Sequence, residues 1–121
     1  MSDNKADHLE LGQIDGLIAA AGADGAREIV AAFHRSTLDL IEQISAHLQQ
    51  GALDLAASAA HAVKGSAANV GAVRVAEAAA HLEVMCKEQN HDASGEALNT
   101  VRGHFEAANN HLTEHIEANG R

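Results

Sequence analysis

The chain has 121 residues and contains no proline, tryptophan or tyrosine. Its two phenylalanines are Phe33 and Phe105. Hydrophobic residues still make up 46% of it, and alanine supplies much of that share. Because proline breaks helices and alanine loses no side-chain entropy in them, this composition favours helix throughout. A chain of this length forms one compact domain. The composition therefore predicts a single all-α domain.

Basic residues are scarce. The sequence has 8 Lys and Arg against 17 Asp and Glu, which gives a formal net charge of −9. Nucleic acids and anionic membranes both require basic patches that neutralise phosphates, so neither is an expected partner. The acidity is interpreted as a contribution to solubility.

Cysteine is almost absent as well. Cys86 is the single cysteine, so an internal disulfide is excluded, and no signal peptide or apolar run of membrane-spanning length occurs. Cys86 and its neighbour Met85 are interpreted as packing residues. These features favour a cytoplasmic protein.

Apolar spacing predicts the helices. Gly22 is predicted to separate the first two, with Asp24 as N-cap of the second, and Gly51 to end the second. The polar stretch NHDASG predicts a loop at residues 90–95. The five predicted helices cover roughly residues 9–20, 25–49, 53–69, 72–88 and 94–118.

Four of these segments are long and amphipathic and are joined by short connections. They predict an antiparallel four-helix bundle, with the short additional N-terminal helix packed across one end. The domain is expected to span residues 1–121, with frayed ends at 1–7 and 119–121.

The third helix carries a histidine on its exposed side. Its buried stripe is predicted to contain Ala56, Ala60, Val63, Ala67 and Val70. On a helical wheel the histidine at position 61 lies roughly 140° from the centre of that stripe.

Lys64 and Gly65 follow His61 by three and four residues and therefore lie beside it on the same face. Glycine inside a helix costs up to about 1 kcal/mol relative to alanine, so Gly65 indicates a need for space near the ring. A flexible lysine can neutralise a phosphoryl group, and histidine is a competent nucleophile near neutral pH. The pattern favours reversible phosphorylation of His61.

The stretch HAVKGSAANVGA, residues 61–72, resembles the signature of the histidine-containing phosphotransfer (HPt) domains of multistep phosphorelays. That signature consists of a histidine, two residues, lysine, glycine, a small residue and a short run to a further glycine. The resemblance extends along the chain, because a long helix with a central Phe33 precedes the motif and an alanine-rich helix ending in HLE, residues 81–83, follows it.

The resemblance implies a four-helix bundle in which His61 accepts the phosphoryl group, Lys64 helps to hold it, Gly65 keeps the approach open and Ser66 adds a small polar group. Many relatives place a glutamine or another donor near the histidine on the next helix, where this sequence has Glu83.

The implied partners are response-regulator receiver domains and a hybrid sensor histidine kinase. The receiver would supply the Mg²⁺, so no cofactor of the chain's own is expected. The sequence has no Gly-rich nucleotide loop, and autonomous kinase activity is therefore not expected. A monomeric carrier is expected. The donor, the acceptor, the direction of flow and whether the domain is free-standing or part of a larger kinase stay open.

The docking surface is predicted on the exposed part of the third helix and the adjacent part of the second. Ala57, Ser58 and Ala68 are its candidate residues, with His34 and Leu38 as further candidates on the second helix.

Two alternatives accompany this interpretation. His111 and His115, four residues apart, could bind a metal together with Glu114 or His104, but a solvated helix face is favoured for them, and His8 is likewise read as a surface or boundary residue. A bundle that docks receiver domains or a kinase without phosphotransfer is the other alternative.

Overall fold

The computed structural model describes residues 5–119 of the chain. Over these residues no strand is formed, and Leu9 and Ala72 make one isolated antiparallel bridge. The all-α prediction is confirmed. The helices are α1 (Lys5–His8), α2 (Leu11–Gln49), α3 (Leu53–Asn69), α4 (Val73–Lys87) and α5 (His91–Asn119).

The four long helices form a bundle in which each helix packs against the next, and α5 also packs against α2. Short connections between successive helices make neighbours antiparallel. The predicted apolar stripes face inward, and Val63, Leu82 and Leu112 are completely buried. Phe33 and Phe105 meet edge to face between α2 and α5, with ring centroids 5.8 Å apart.

The break predicted at Gly22 is confirmed. This glycine has a non-helical φ of 75° and ψ of 173°, and α2 consists of two helical parts that meet there at a kink. Asp24 does not act as the predicted N-cap, because its Oδ1 accepts a hydrogen bond of 2.6 Å from Nη1 of Arg27.

The loop predicted at residues 90–95 is wrong beyond its first residue, because α5 begins at His91. Asn90 makes the early start possible: its Oδ1 accepts a hydrogen bond of 3.1 Å from the backbone N of Ala93. Polar residues are well suited to the first turn of a helix when such a cap precedes them, so polarity did not indicate a loop here.

The N-terminal segment is fixed at one end of the bundle, as predicted for the short first helix. The backbone N of Glu10 donates a 2.7 Å hydrogen bond to the carbonyl of Gly71 in the α3–α4 turn. Gly71 has a φ of 75°, and a Cβ there would lie 2.7 Å from the carbonyl oxygen of Glu10. The second glycine of the motif is therefore required both by the turn and by this close approach.

Residues 5–7, which were expected to fray, belong to α1, and Nζ of Lys5 lies 3.0 Å from Nδ1 of His115. Residues 1–4 and 120–121 of the expected frayed ends lie outside the described part of the chain. Among residues 5–119, none of the helices combines the length and the hydropathy needed to span a bilayer.

Candidate functional site

His61 lies in the middle of α3 on the solvent side, as predicted. Its side chain is 64% exposed, whereas its neighbours Ala60 and Val63 in the predicted stripe are completely buried. The ring is thus held on a rigid element and is accessible to another protein.

A carboxylate from α4 contacts this ring. Oε1 of Glu83 lies 3.3 Å from Nδ1 of His61, and the Glu83 side chain is only 11% exposed. Two lysines contact the same carboxylate. Nζ of Lys87 is 2.9 Å from Oε2, and Nζ of Lys64 is 3.7 Å from Oε1. Glu83 is therefore the centre of a four-residue polar cluster between α3 and α4.

Lys87 has the largest effect on the ionisation of Glu83. The hydrogen bond from Lys87 lowers the pKa of Glu83 below its ordinary value, partial burial opposes this effect, and the hydrogen bond with His61 lowers the pKa further. Glu83 is consequently ionised near neutral pH and can only accept hydrogen bonds. Nδ1 of His61 must then carry the proton of the neutral ring, which leaves the lone pair on Nε2.

Open space surrounds the ring on the side of the motif glycine. A Cβ placed on Gly65 would meet no atom within 4 Å. Packing inside the bundle therefore does not require glycine at this helical position. Ala68, two turns along α3 from His61, is exposed as predicted.

A surface groove of about 500 Å³ separates α3 from α4 beside the ring. Ser58 is exposed there, and its hydroxyl donates to the carbonyl of Asp54 at 3.3 Å. Ala57 is only 4% exposed, so the prediction that it lies on the exposed docking face is wrong. Its side of α3 is covered by α4, and Ala57 forms part of the lining of the groove. The lining consists of Asp54, Ala57, Ser58, His61, Glu83 and Lys87.

The remaining predicted residues lie further from the ring. Ser66 is half-buried, and within the described residues it makes no hydrogen bond to His61. His34 and Leu38 line a groove between α2 and α5 instead of bordering α3. The His34 ring stacks on Phe105 with centroids 5.3 Å apart. The expectation that His34 and Leu38 extend the surface around His61 is therefore wrong, because these residues face the other neighbour of α2.

Sequence reasoning missed Lys87. Its spacing of four residues from Glu83 is the spacing of a helical ion pair and was a usable signal. That spacing alone could not place the pair next to His61, since this depends on the packing of α4 on α3.

The metal alternative finds no support at the predicted histidines. His115 is 5% exposed, and its Nε2 lies 2.6 Å from Oδ1 of Asp15. The solvated-face interpretation is wrong for His115, and the interpretation of His8 as a surface or boundary residue is wrong as well, since His8 is only 8% exposed. Both are buried because the N-terminal segment and α5 cover each other. Among residues 5–119, no group of three or more His, Cys, Asp or Glu side chains is placed to hold a metal ion.

These features define a class of protein: a helical bundle that holds an exposed histidine in mid-helix, with its Nδ1 on a carboxylate and two lysines beside it. The sequence model of the Hpt domain matches residues 28–117, which is most of the chain. The chain therefore belongs to the Hpt domain family.

Solved structures agree with this assignment. A histidine-containing phosphotransfer protein from maize is 26% identical, with 88% of this chain and 86% of that chain covered and a TM-score of 0.75. Histidine-containing phosphotransfer protein B from Pseudomonas aeruginosa is 19% identical and shares the fold, with coverages of 93% and 97% and a TM-score of 0.86. No curated protein matches the chain.

Membership of the family and its structural neighbours support a role in a histidine phosphotransfer relay. The partners of such a relay are two-component proteins that include receiver domains. A bundle that only docks its partners is not favoured.

Proposed function

We propose that His61 is the phosphoryl acceptor of this domain, and that it carries the group from the phospho-aspartate of one receiver domain to the aspartate of another. The observation that carries the proposal is that one ring nitrogen contacts a carboxylate of the protein while the ring stays exposed to a partner. Nδ1 lies 3.3 Å from the Glu83 carboxylate, while the side chain as a whole is 64% exposed.

The transfer step begins with the Nε2 lone pair, which attacks the phosphorus of the aspartyl phosphate. The N–P bond forms as the P–O bond to aspartate breaks, and the bonding electron pair leaves with the aspartate carboxylate. The proton stays on Nδ1, so the ring becomes cationic during the attack. The Glu83 carboxylate stabilises that developing charge, and it also fixes the orientation of the ring.

The reverse step delivers the group to a second receiver. An aspartate oxygen attacks the phosphorus, the N–P bond breaks, and its electron pair returns to Nε2. Lys64 lies within 3.7 Å of Glu83 and can follow the phosphoryl group as a mobile positive charge. Most of the catalysis is positioning and charge stabilisation, to which the receiver contributes its acidic pocket and Mg²⁺.

The domain then acts as a carrier, since it has no nucleotide-binding loop of the Gly-rich kind. A hybrid sensor histidine kinase is the proposed source of phosphoryl groups, and a response regulator is the proposed recipient. We place the domain in the cytoplasm as a monomer, which fits its acidic surface and single buried Cys86.

The test is incubation with a receiver domain that carries a labelled phospho-aspartate. The natural chain should take up the label, and His61→Gln should lose it. His81→Gln is the matched control, because His81 is an exposed histidine on the adjacent helix α4. Equal labelling of the His61 variant and the natural chain, or no labelling of the natural chain by any receiver of its organism, would contradict the proposal.

A further inference from the structure

The site contains a second lysine to which the sequence motif does not point. Nζ of Lys87 hydrogen-bonds Oε2 of Glu83 at 2.9 Å, and the Lys87 side chain is 66% exposed. Nζ of Lys64 lies 3.7 Å from the other oxygen of the same carboxylate. Two flexible ammonium groups therefore meet at one carboxylate, directly beside the ring proposed to carry the phosphoryl group.

We propose that the Glu83 carboxylate binds Lys87 in the unphosphorylated protein, as a phosphoryl group would. When His61 is phosphorylated, Lys87 moves from Glu83 to the phosphoryl group. This inference rests on the phosphorylation of His61 proposed above. It makes Lys87 a second phosphate-binding residue, in addition to Lys64 of the motif. The exchange replaces one ion pair by another and needs no covalent step of its own.

Charge gives the direction of the exchange. A phosphoryl group carries close to two negative charges near neutral pH and offers three acceptor oxygens, whereas Glu83 carries one charge and two oxygens. A lysine equidistant from both is therefore attracted more strongly by the phosphoryl group. Lysine is suited to such a move because its charge is compact and its stem is flexible.

The geometry allows the move. His61, Glu83 and Lys87 line the same groove, which has a volume of about 500 Å³ and is open to solvent. Asp54, the other acidic residue in that groove, accepts a hydrogen bond of 3.2 Å from Nε2 of Gln89. Lys64 and Lys87 approach from different helices, so they can contact different oxygens of one phosphoryl group.

Lys87 and Glu83 should shift the equilibrium of phosphoryl transfer to His61 in opposite directions. Lys87 stabilises the phosphorylated state, because it gains a stronger partner there. Glu83 favours that state through its contact with the cationic ring, but on balance we expect it to destabilise the state, since it loses a lysine and faces a neighbouring dianion. Glu83 thereby keeps the group transferable to the next receiver, and Lys87 keeps it from being lost too readily.

The experiment measures the equilibrium constant for transfer from a phosphorylated receiver to His61, at protein concentrations too low for a stable complex. We expect Lys87→Gln to lower the constant about threefold and Glu83→Gln to raise it about threefold, as befits ion pairs near the surface. In the Glu83→Gln background, Lys87 has no carboxylate partner that competes with the phosphoryl group. Lys87→Gln should therefore lower the equilibrium constant more in that background, by about tenfold. This non-additivity is the specific sign of an exchange between two partners.

Two controls complete the design. Lys87→Arg keeps the charge and should retain most of the natural value. Arg35→Gln removes an exposed positive charge beside a second groove between α2 and α5, away from Glu83, and should leave the constant unchanged. The inference is overturned if Lys87→Gln has no effect, if its effect is equal in both backgrounds, or if Arg35→Gln has the same effect. Failure of the natural chain to accept label from any receiver would instead contradict the proposed function.

Discussion

His61 and His115 have the same kinds of neighbours but opposite exposure. Each contacts one carboxylate, Glu83 or Asp15, and each has a lysine nearby. At the first site the histidine side chain is 64% exposed and the carboxylate 11%. At the second the order is reversed, with 6% for the histidine and 58% for the carboxylate.

The difference also concerns which nitrogen is engaged. Glu83 takes Nδ1 of His61 and leaves Nε2 for a partner. Asp15 takes Nε2 of His115 at 2.6 Å, and Lys5 lies 3.0 Å from Nδ1. The same three functional groups therefore accompany an accessible ring in one place and make a structural link between α1, α2 and α5 in the other.

The largest expected effect comes from making His61 as inaccessible as His115. Gly65→Gln places a long side chain one turn from the ring, in space that is now empty. Transfer from a phosphorylated receiver should slow at least tenfold, because the misplacement of reacting groups by about 1 Å already costs roughly 10²-fold. The rate of label uptake by the folded variant is the measurement.

Gly103→Gln is the matched control, since Gly103 also lies within a helix with no atom within 4 Å of a Cβ position. It should leave transfer unchanged. Equal rates for the Gly65 variant and the natural chain would refute the explanation of this glycine as a means of access.

The next largest effect concerns the free energy of unfolding, to which we expect the buried His115 to contribute. His115→Ala removes a buried ring together with its contacts to Asp15 and Lys5. The free energy of unfolding should fall by about 1–3 kcal/mol, as for other buried hydrogen-bonding groups. Urea denaturation gives the value, and His81→Ala is the exposed control. Label uptake by the folded His115 variant should persist, and its loss would show that the two sites are coupled.

Local patterns predicted much of the fold and the orientation of His61. Helical periodicity placed Val63, Leu82 and Leu112 in the core, and the wheel placed His61 in solvent, because both depend only on spacing within one helix. The break at Gly22 was also predicted, and the two helical parts of α2 meet there at a kink.

What sequence reasoning missed depends on which helix covers which face. Ala57 is buried by α4, and His115 by the N-terminal segment, although each lies outside its own helix's predicted stripe. Lys87 is brought to His61 through Glu83, across two helices. A wheel for a single helix cannot contain this information, since it is set by the neighbours.

The smallest effect tests the charge on Glu83, on which the assignment of the His61 proton depends. The folded state lowers the pKa of Glu83, chiefly through Lys87. The carboxylate therefore contributes stability above its unfolded pKa of about 4.3, and this contribution disappears as the pH falls through the lowered folded pKa. Glu83→Gln lacks this titration.

The natural chain should accordingly exceed Glu83→Gln in unfolding free energy by up to about 1 kcal/mol near neutral pH, and the difference should shrink below about pH 4.3. Urea denaturation of both proteins across this range measures it, with Glu77→Gln as an exposed control on α4. A difference that stays constant into acid would mean that Glu83 stabilises by packing. Such a result would contradict the assignment of Glu83 as the ionised acceptor that fixes the proton on Nδ1 of His61 and leaves Nε2 to react.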